Sequence, residues 1–418
     1  MTGFLGGGHA IYFEGATGRV RNLDCFVAVP GLGATPRETD LVRLEVPFGN
    51  ELVHYAVGPA SCGVPGLPAG LDALWRAHGR LEWRALVEPA LRLARDGVPL
   101  PPAHAACLAM LEPVMTMNEG AAIYAPGGRL LRSGDELRQP GLVRALEAVA
   151  EEGAATVYRG TIAAALLELV TERSGLVTEA DLRVYEAAWS EPFAIDYGST
   201  TVHTRGGFSG VPETLRTLPR LRGVDSAERV RLLVRALAPG GPDGHTTNLA
   251  TVDGDRNACV LTSSLGLGSG DFLRGLDLHL NSMLGEVDLL RGPLEPGARM
   301  GSMMAPTIAL DGGGLVLAAG AAGGTRLRTA LVGVLAGILD EGLPPAEAVA
   351  RPRFHPAGAV VHAEPGVDED GLAALEAEGW RVRRWEARHH YFGGVSVVGR
   401  AGAAGDPRRS GTARVLGR

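Results

Sequence analysis

The run from Gly244 to Ser264, Gly-His-Thr-Thr-Asn-Leu-Ala-Thr-Val-Asp-Gly-Asp-Arg-Asn-Ala-Cys-Val-Leu-Thr-Ser-Ser, constrains the fold of this chain more than any other. Thr247 to Val252 and Ala258 to Thr262 are rich in β-branched and apolar residues, and Gly254-Asp255-Arg256 between them carries turn chemistry. The pattern predicts a hairpin. Pairing Asp253 with Asn257 across the turn fixes the register and sets Thr246 opposite Ser264 at the open end. Two hydroxyls side by side at the mouth of a hairpin are one way to build a nucleophile. A Gly/Pro-rich break, Ala238-Pro239-Gly240-Gly241-Pro242-Asp243-Gly244, leads into it. An isolated Thr-Thr pair is ordinarily just strand, so the surrounding features carry the argument. If the His245–Thr246 bond is cut, the threonine gains an α-amino group that serves as its own general base.

Few other residues offer catalytic chemistry. Gly323-Gly324 falls between an apolar strand, Leu315–Ala318, and a helix beginning near Leu327, where backbone N–H groups form an oxyanion hole if they face a site. Gly266-Leu267-Gly268-Ser269-Gly270 is a poor dinucleotide fingerprint, with no clear helix after it, and reads as a mobile glycine loop beside the site. Gly207-Phe208-Ser209-Gly210 is one residue short of a nucleophile elbow. His104 with Cys107, His355, His362 and the pair His389-His390 lack the partners and spacing of a metal site, so no metal and no cofactor is expected.

Bulk properties set the outer limits. The chain has 418 residues, 45% of them hydrophobic and 21% charged, enough for a large folded core. Its net charge is -7 and all 40 basic residues are arginine, which argues against a nucleic-acid surface. Four separated cysteines, Cys25, Cys62, Cys107 and Cys259, read as reduced, mostly buried thiols. No unbroken apolar run of about 18 residues occurs, so no membrane span is expected. No secretory signal is legible at Met1; the location is open, cytoplasmic by default and exported if the true start lies upstream. Helical patterns over residues 69–190 (around Leu71, Leu86 and Ile162), then strands at Leu249–Val252, Cys259–Thr262, Thr307–Leu310 and Leu315–Ala318, predict an α+β layered domain. A helix from Leu327 to Glu341 closed by Gly342, and a strand at Gly394–Val398, complete the pattern. Pro219–Gly223 is a second break.

An ordered set of segments resembles the γ-glutamyltransferase (glutathione hydrolase) family of N-terminal-nucleophile hydrolases. Thr246-Thr247-Asn248 looks like the family's Thr-Thr-His start of the small subunit. Ala305-Pro306-Thr307-Ile308, Ala322-Gly323-Gly324-Thr325-Arg326, Glu347 through His355, and Asp406-Pro407-Arg408-Arg409 resemble later blocks in order. Upstream, Gly63-Val64-Pro65-Gly66, Ala69-Gly70-Leu71, Tyr158-Arg159-Gly160 and Gly175-Leu176-Val177-Thr178 look like large-subunit segments.

The resemblance implies a four-layer αββα sandwich. It is made as one precursor that cuts itself into a large segment, residues 1–245, and a small one, 246–418, together one structural domain. Carried over position by position, Thr246 is the nucleophile and Ser264 the hydroxyl bonded to it. Gly323 and Gly324 supply the oxyanion donors, and Ser302 is the first of two pocket serines. The implied partners are a small amide or γ-glutamyl-like substrate and a water or amine acceptor, with further oligomerisation left open. The departures matter as much. Phe26 sits at or near the arginine that holds the substrate carboxylate, Met303 replaces the second serine, Gly266 replaces a pocket asparagine, and Glu286 aligns with the acidic residue that grips the substrate amine. Losing a guanidinium removes a bidentate carboxylate clamp, so a less polar acyl group is expected. The resemblance omits the family's N-terminal strand–helix region and is compressed between Arg231 and Gly244. Two alternatives follow: an acylase or carbon–carbon hydrolase acting on a natural product, or a shortened homologue without catalysis.

Overall fold

A computed structural model of the chain describes residues 2–35, 39, 41–48, 51–238, 246–286, 289–290 and 293–416. It comprises two compact units built from interleaved segments: Met1–Gly8, Asp24–Ala188 and Ser263–Gly301 form the first, and His9–Leu23, Trp189–Thr262 and Ser302–Arg418 the second.

The first unit is mainly helical. Helices Leu67–His78, Trp83–Asp96 and Thr161–Glu172 cover the three predicted helical patterns. Helix Pro140–Glu152 joins them around a core that includes Val87, Ala145, Val149, Ile162, Leu166 and Leu280. The span Pro140–Glu172 is long and apolar enough by mean hydropathy to cross a membrane, although no unbroken apolar run of that length marks it. It is not one straight helix. Gly153 turns the backbone to φ 70°, and Thr161–Glu172 starts anew after Gly160. Ala145, Val149, Val157, Ile162, Leu166 and Leu169 lie in this unit's core, with Leu142, Leu146 and Leu167 partly buried against it. The hairpin Val42–Phe48 with Glu51–Val57 was not anticipated; its charged residues and proline obscure the alternation.

Two buried polar groups tie this unit together. The Asp181 carboxylate caps helix Glu179–Val184 with Thr178 and also accepts the Gly31 and Leu32 N–H groups at 2.8 and 3.0 Å. Asn281, wholly buried, accepts the Gly63 N–H at 2.9 Å and donates to the Leu5 and Gly63 carbonyls at 2.9 and 2.8 Å. Stranding those backbone groups costs about 1–3 kcal/mol each. Asn281→Ala is therefore expected to lower unfolding stability by about 3 kcal/mol, read as a lower urea midpoint with unchanged slope.

The second unit holds most of the strands. One sheet runs Gly402–Gly405, Gly394–Gly399, Gly314–Ala322, Thr307–Asp311, Thr200–Thr204, Phe193–Tyr197, with antiparallel neighbours throughout. A second runs Thr247–Val252, Ala258–Ser264, Gly7–Phe13, Val20–Cys25, Ala188–Ser190. The two sheets face each other through Ile11, Phe13, Val20, Val260, Ile308 and Ala318. Alternation along the strands sends Ala309, Leu317, Ala319, Val395 and Val397 to the other face of the six-stranded sheet. There they join Leu327, Leu331 and Val334 of helix Arg326–Leu339 and Val230, Leu233 and Val234 of Ser226–Leu237. The unit is thus helices on a sheet on a sheet, an α+β arrangement as expected.

Strand Gly314–Ala322 runs beyond its predicted end. Helix Arg326–Leu339 ends just before the predicted Glu341, with Asp340 as its C-cap and the Asp340 carboxylate bonded to Arg220 and the Leu221 N–H.

Candidate active site

Strand Thr247–Val252 packs against Gly314–Ala322 and Gly394–Gly399 of the facing sheet, which fixes where Thr246 emerges. Its hairpin has the predicted register: the Asp253 N–H donates to the Asn257 carbonyl at 3.0 Å, and Thr262 Oγ1 reaches Asn248 Oδ1 at 2.7 Å directly across. Arg256 takes the left-handed turn position at φ 65°. The second strand continues past Thr262 to Ser264. His245, the other half of the expected cut, lies outside the described residues.

Thr246 is 8% exposed, and its hydroxyl accepts the Gly323 N–H at 3.1 Å. That N–H belongs to the turn between strand Gly314–Ala322 and helix Arg326–Leu339, where Gly323 and Gly324 adopt φ 135° and 63°. Both angles disfavour a side chain. At Gly323 a Cβ would also meet the Gly393 Cα at 2.6 Å. Backbone has nowhere to retreat, so only glycine lets this N–H point at Thr246. Gly323→Ala is expected to displace the donor and cut turnover about 100- to 1000-fold, measured as kcat on any substrate the parent accepts, with the fold retained.

The turn is backed by a polar clasp invisible to spacing arguments. Arg353 Nη1 donates to the Phe392 and Gly393 carbonyls at 3.3 and 3.2 Å, and Arg353 pairs with Asp406 at 2.5 Å. Burial pushes the Arg353 guanidinium down to about 10, still a cation at neutral pH. Asp406 accepts the Val395 N–H at 3.0 Å, and Arg408 pairs with Glu364 at 2.5 Å, both buried. Arg409 Nη2 donates to the His390 carbonyl at 3.1 Å and lies 3.4 Å from where a Gly323 Cβ would stand. A guanidinium therefore flanks the Gly323–Gly324 turn. Asn248 contributes too. Its Nδ2 donates to Ser396 Oγ at 2.5 Å, and the side chain lies so close to Gly320 that a Cβ there would overlap it.

The remaining expected site residues fall into separate places. Ser302 and Met303, both buried, belong to the second unit; the Ser302 carbonyl accepts Arg205 Nη1 at 2.6 Å and its hydroxyl accepts the Met304 N–H at 3.3 Å. Ser264, Gly266 and Glu286 belong to the first unit. Ser264 Oγ accepts the Gly266 N–H at 3.0 Å, and a Cβ on Gly266 would meet Ser282 Oγ at 2.5 Å and Glu286 Oε1 at 2.9 Å. Gly266 and the buried Glu286 are thus neighbours. Phe26, also in the first unit, is 1% exposed, its carbonyl accepting the Tyr185 hydroxyl at 2.5 Å.

The glycine loop expected to be mobile is packed down. Residues 266–270 are all buried, and the Leu267, Ser269 and Gly270 N–H groups donate to Ser282 Oγ, the Leu280 carbonyl and His279 Nε2. Its glycines are needed for positive φ (69°, 86° and 84°) and close approach rather than for motion. All four cysteines are free; burial pushes the Cys62 thiol up to about 12. His355 is buried against Thr329 at 2.9 Å, and burial holds it well below the usual histidine range. No group of three or more His, Cys, Asp or Glu side chains is placed to hold a metal among the described residues.

Comparison with known proteins agrees with this architecture. The crystal structure of cephalosporin acylase from Bacillus halodurans superposes with a TM-score of 0.83 at 22% identity, over 99% of this chain and 88% of that one, which establishes a shared fold. The gamma-glutamyltranspeptidase family model matches residues 1–238 and 233–416, and the chain belongs to that family. Glutathione hydrolase 3 of Arabidopsis thaliana is 25% identical over 74% of this chain, and the match spans 60% of its own length. The acylase ACY 1 proenzyme of a Pseudomonas species is 25% identical over 92% of this chain and 80% of its own.

Proposed function

We propose that the chain is a self-processing amidohydrolase or acyltransferase whose nucleophile is Thr246. The observation that carries this reading is the Thr246 hydroxyl, nearly buried and held at 3.1 Å by the N–H of a glycine that sterics require. The proposal includes the four-layer αββα sandwich and the division into segments 1–245 and 246–418.

In processing, Thr246 Oγ adds to the carbonyl carbon of residue 245. The C–N bond breaks, the nitrogen takes the hydroxyl proton, and an ester joins the two segments. Water hydrolyses the ester, leaving a carboxylate on residue 245 and a free amine on Thr246. An α-amine titrates near about 8, suited to a base at neutral pH. In turnover this amine takes the Oγ proton as Oγ attacks the substrate amide. Gly323 and Gly324 N–H groups receive the developing oxyanion, and the leaving amine takes the proton back. Water or an acceptor amine then releases the acyl group.

Substrate selection is assigned to Phe26, Gly266, Glu286, Ser302 and Met303, with Ser264 as the hydroxyl partner of the nucleophile, on the family pattern. With Phe26 and Met303 in place of an arginine and a serine, a charged γ-glutamyl head has less to hold it, and a buried carboxylate without a partner is costly. The same substitutions favour an acylase reading, in line with the acylase relative. The purified, processed protein is therefore expected to hydrolyse a γ-glutamyl anilide at least about 100-fold less efficiently than an aliphatic acyl anilide. A kcat/KM comparison reads this, and equal or reversed efficiencies contradict the pocket assignment. The non-catalytic alternative separates on a denaturing gel: it leaves one intact chain, whereas processing leaves two.

A further inference from the structure

A second site lies in the second unit, between helix Ser226–Leu237, helix Arg326–Leu339 and the segment Arg351–Phe354. There a cavity of about 30 Å³ is walled by Leu233, Leu237, Ala330 and Val334 on its apolar side. Arg229, Arg351 and Arg353, with Thr329, supply its polar wall. About 10–15 Å³ suffices for one water, so the space takes one small ion or a water pair.

The charges around it do not balance. Arg229 and Arg351 share a single carboxylate, Glu341, at 2.9 and 2.8 Å. Next to them Arg353 and Arg408 are matched by Asp406 and Glu364. The surplus positive charge therefore belongs to the Arg229–Glu341–Arg351 triad, whose side chains are only 10%, 15% and 29% exposed. Burial, and then the like charge of Arg351, hold the Arg229 guanidinium below its ordinary range. Nearby His355 stays neutral through burial and adds no charge of its own. A largely buried positive surplus with three guanidiniums on one cavity wall is costly unless an anion offsets it.

We propose that this cavity binds one small monovalent inorganic anion of the chloride class, held by Arg229 and Arg351 with Arg353 at its back. The small volume favours a small ion, and a surplus of one charge calls for a monovalent ligand. Binding also bears on the turn, since the Arg353 that lines the cavity holds the carbonyls of Phe392 and Gly393. The site does not depend on the proposed chemistry at Thr246.

Thermal unfolding in sodium chloride against sodium gluconate at matched ionic strength tests it. Between zero and 200 mM chloride the midpoint is expected to rise by about 2–4 °C, following one-site saturation, with gluconate giving no such rise. Arg351→Gln leaves Glu341 paired with Arg229 and is expected to abolish the chloride-specific shift. A bromide soak of the parent protein adds a direct reading, with an anomalous peak expected among Arg229, Arg351 and Arg353. Superimposable chloride and gluconate curves, a shift that survives Arg351→Gln, or bromide only elsewhere on the surface each overturn the proposal.

Discussion

Thr246→Ala is expected to leave the chain uncut and to lower turnover by about four orders of magnitude or more. The substitution removes the one oxygen that the Gly323 N–H holds in place, and Thr246 is too buried for bulk water to take over its role freely. The fold survives the change. The hydroxyl's loss strands a single N–H, a cost of about 1–3 kcal/mol, while the hairpin keeps its Asn248–Thr262 and Asp253–Asn257 bonds. Unfolding midpoint and circular dichroism check that the variant is native. Thr246→Ser keeps an oxygen there and is expected to process, more slowly. A variant with alanine that still splits, or still turns over substrate, removes Thr246 from the chemistry.

The second large effect is structural. Arg353→Met is expected to cost about 3 kcal/mol, because the buried Asp406 carboxylate loses its closer guanidinium and keeps only Arg408, at 3.3 Å. It also frees the Phe392 and Gly393 carbonyls behind the turn. Arg353→Lys is expected to restore little, since one ammonium cannot reach a carboxylate and two carbonyls as a planar fork does. Arg400→Ala, which breaks the half-exposed pair with Asp311 at 2.8 Å, serves as control and should cost no more than about 1 kcal/mol. Denaturant unfolding reads all three. An Arg353→Met loss as small as the control's would mean that the clasp does not hold the turn.

The sequence carried the local parts of this arrangement well. The hairpin register followed from turn chemistry at Gly254-Asp255-Arg256, because a short turn leaves strands one way to pair. The Gly323-Gly324 turn was legible because an apolar strand and a helical stripe flank it. Long-range parts were not. Nothing in the spacing links Arg353 to Asp406 or to the carbonyl of Gly393. Nor does any composition shift mark the interleaving at Gly8/His9, Leu23/Asp24 and Thr262/Ser263, where the division falls inside strands. The break at Pro219–Gly223 marks a loop, not a unit boundary, and residues 239–244 lie outside the described residues. Positive φ and tight packing at residues 266–270 demand the same residue as flexibility does, so the glycines there do not distinguish a packed loop from a mobile one.

The proposed chemistry requires a free amine at Thr246. Intact-mass measurement of the purified chain, followed by N-terminal sequencing of its fragments, tests that directly. Two species are predicted, one ending at His245 and one whose first residue is Thr246 with an unblocked amine. A single uncut mass, or cleavage at any other bond, would contradict it.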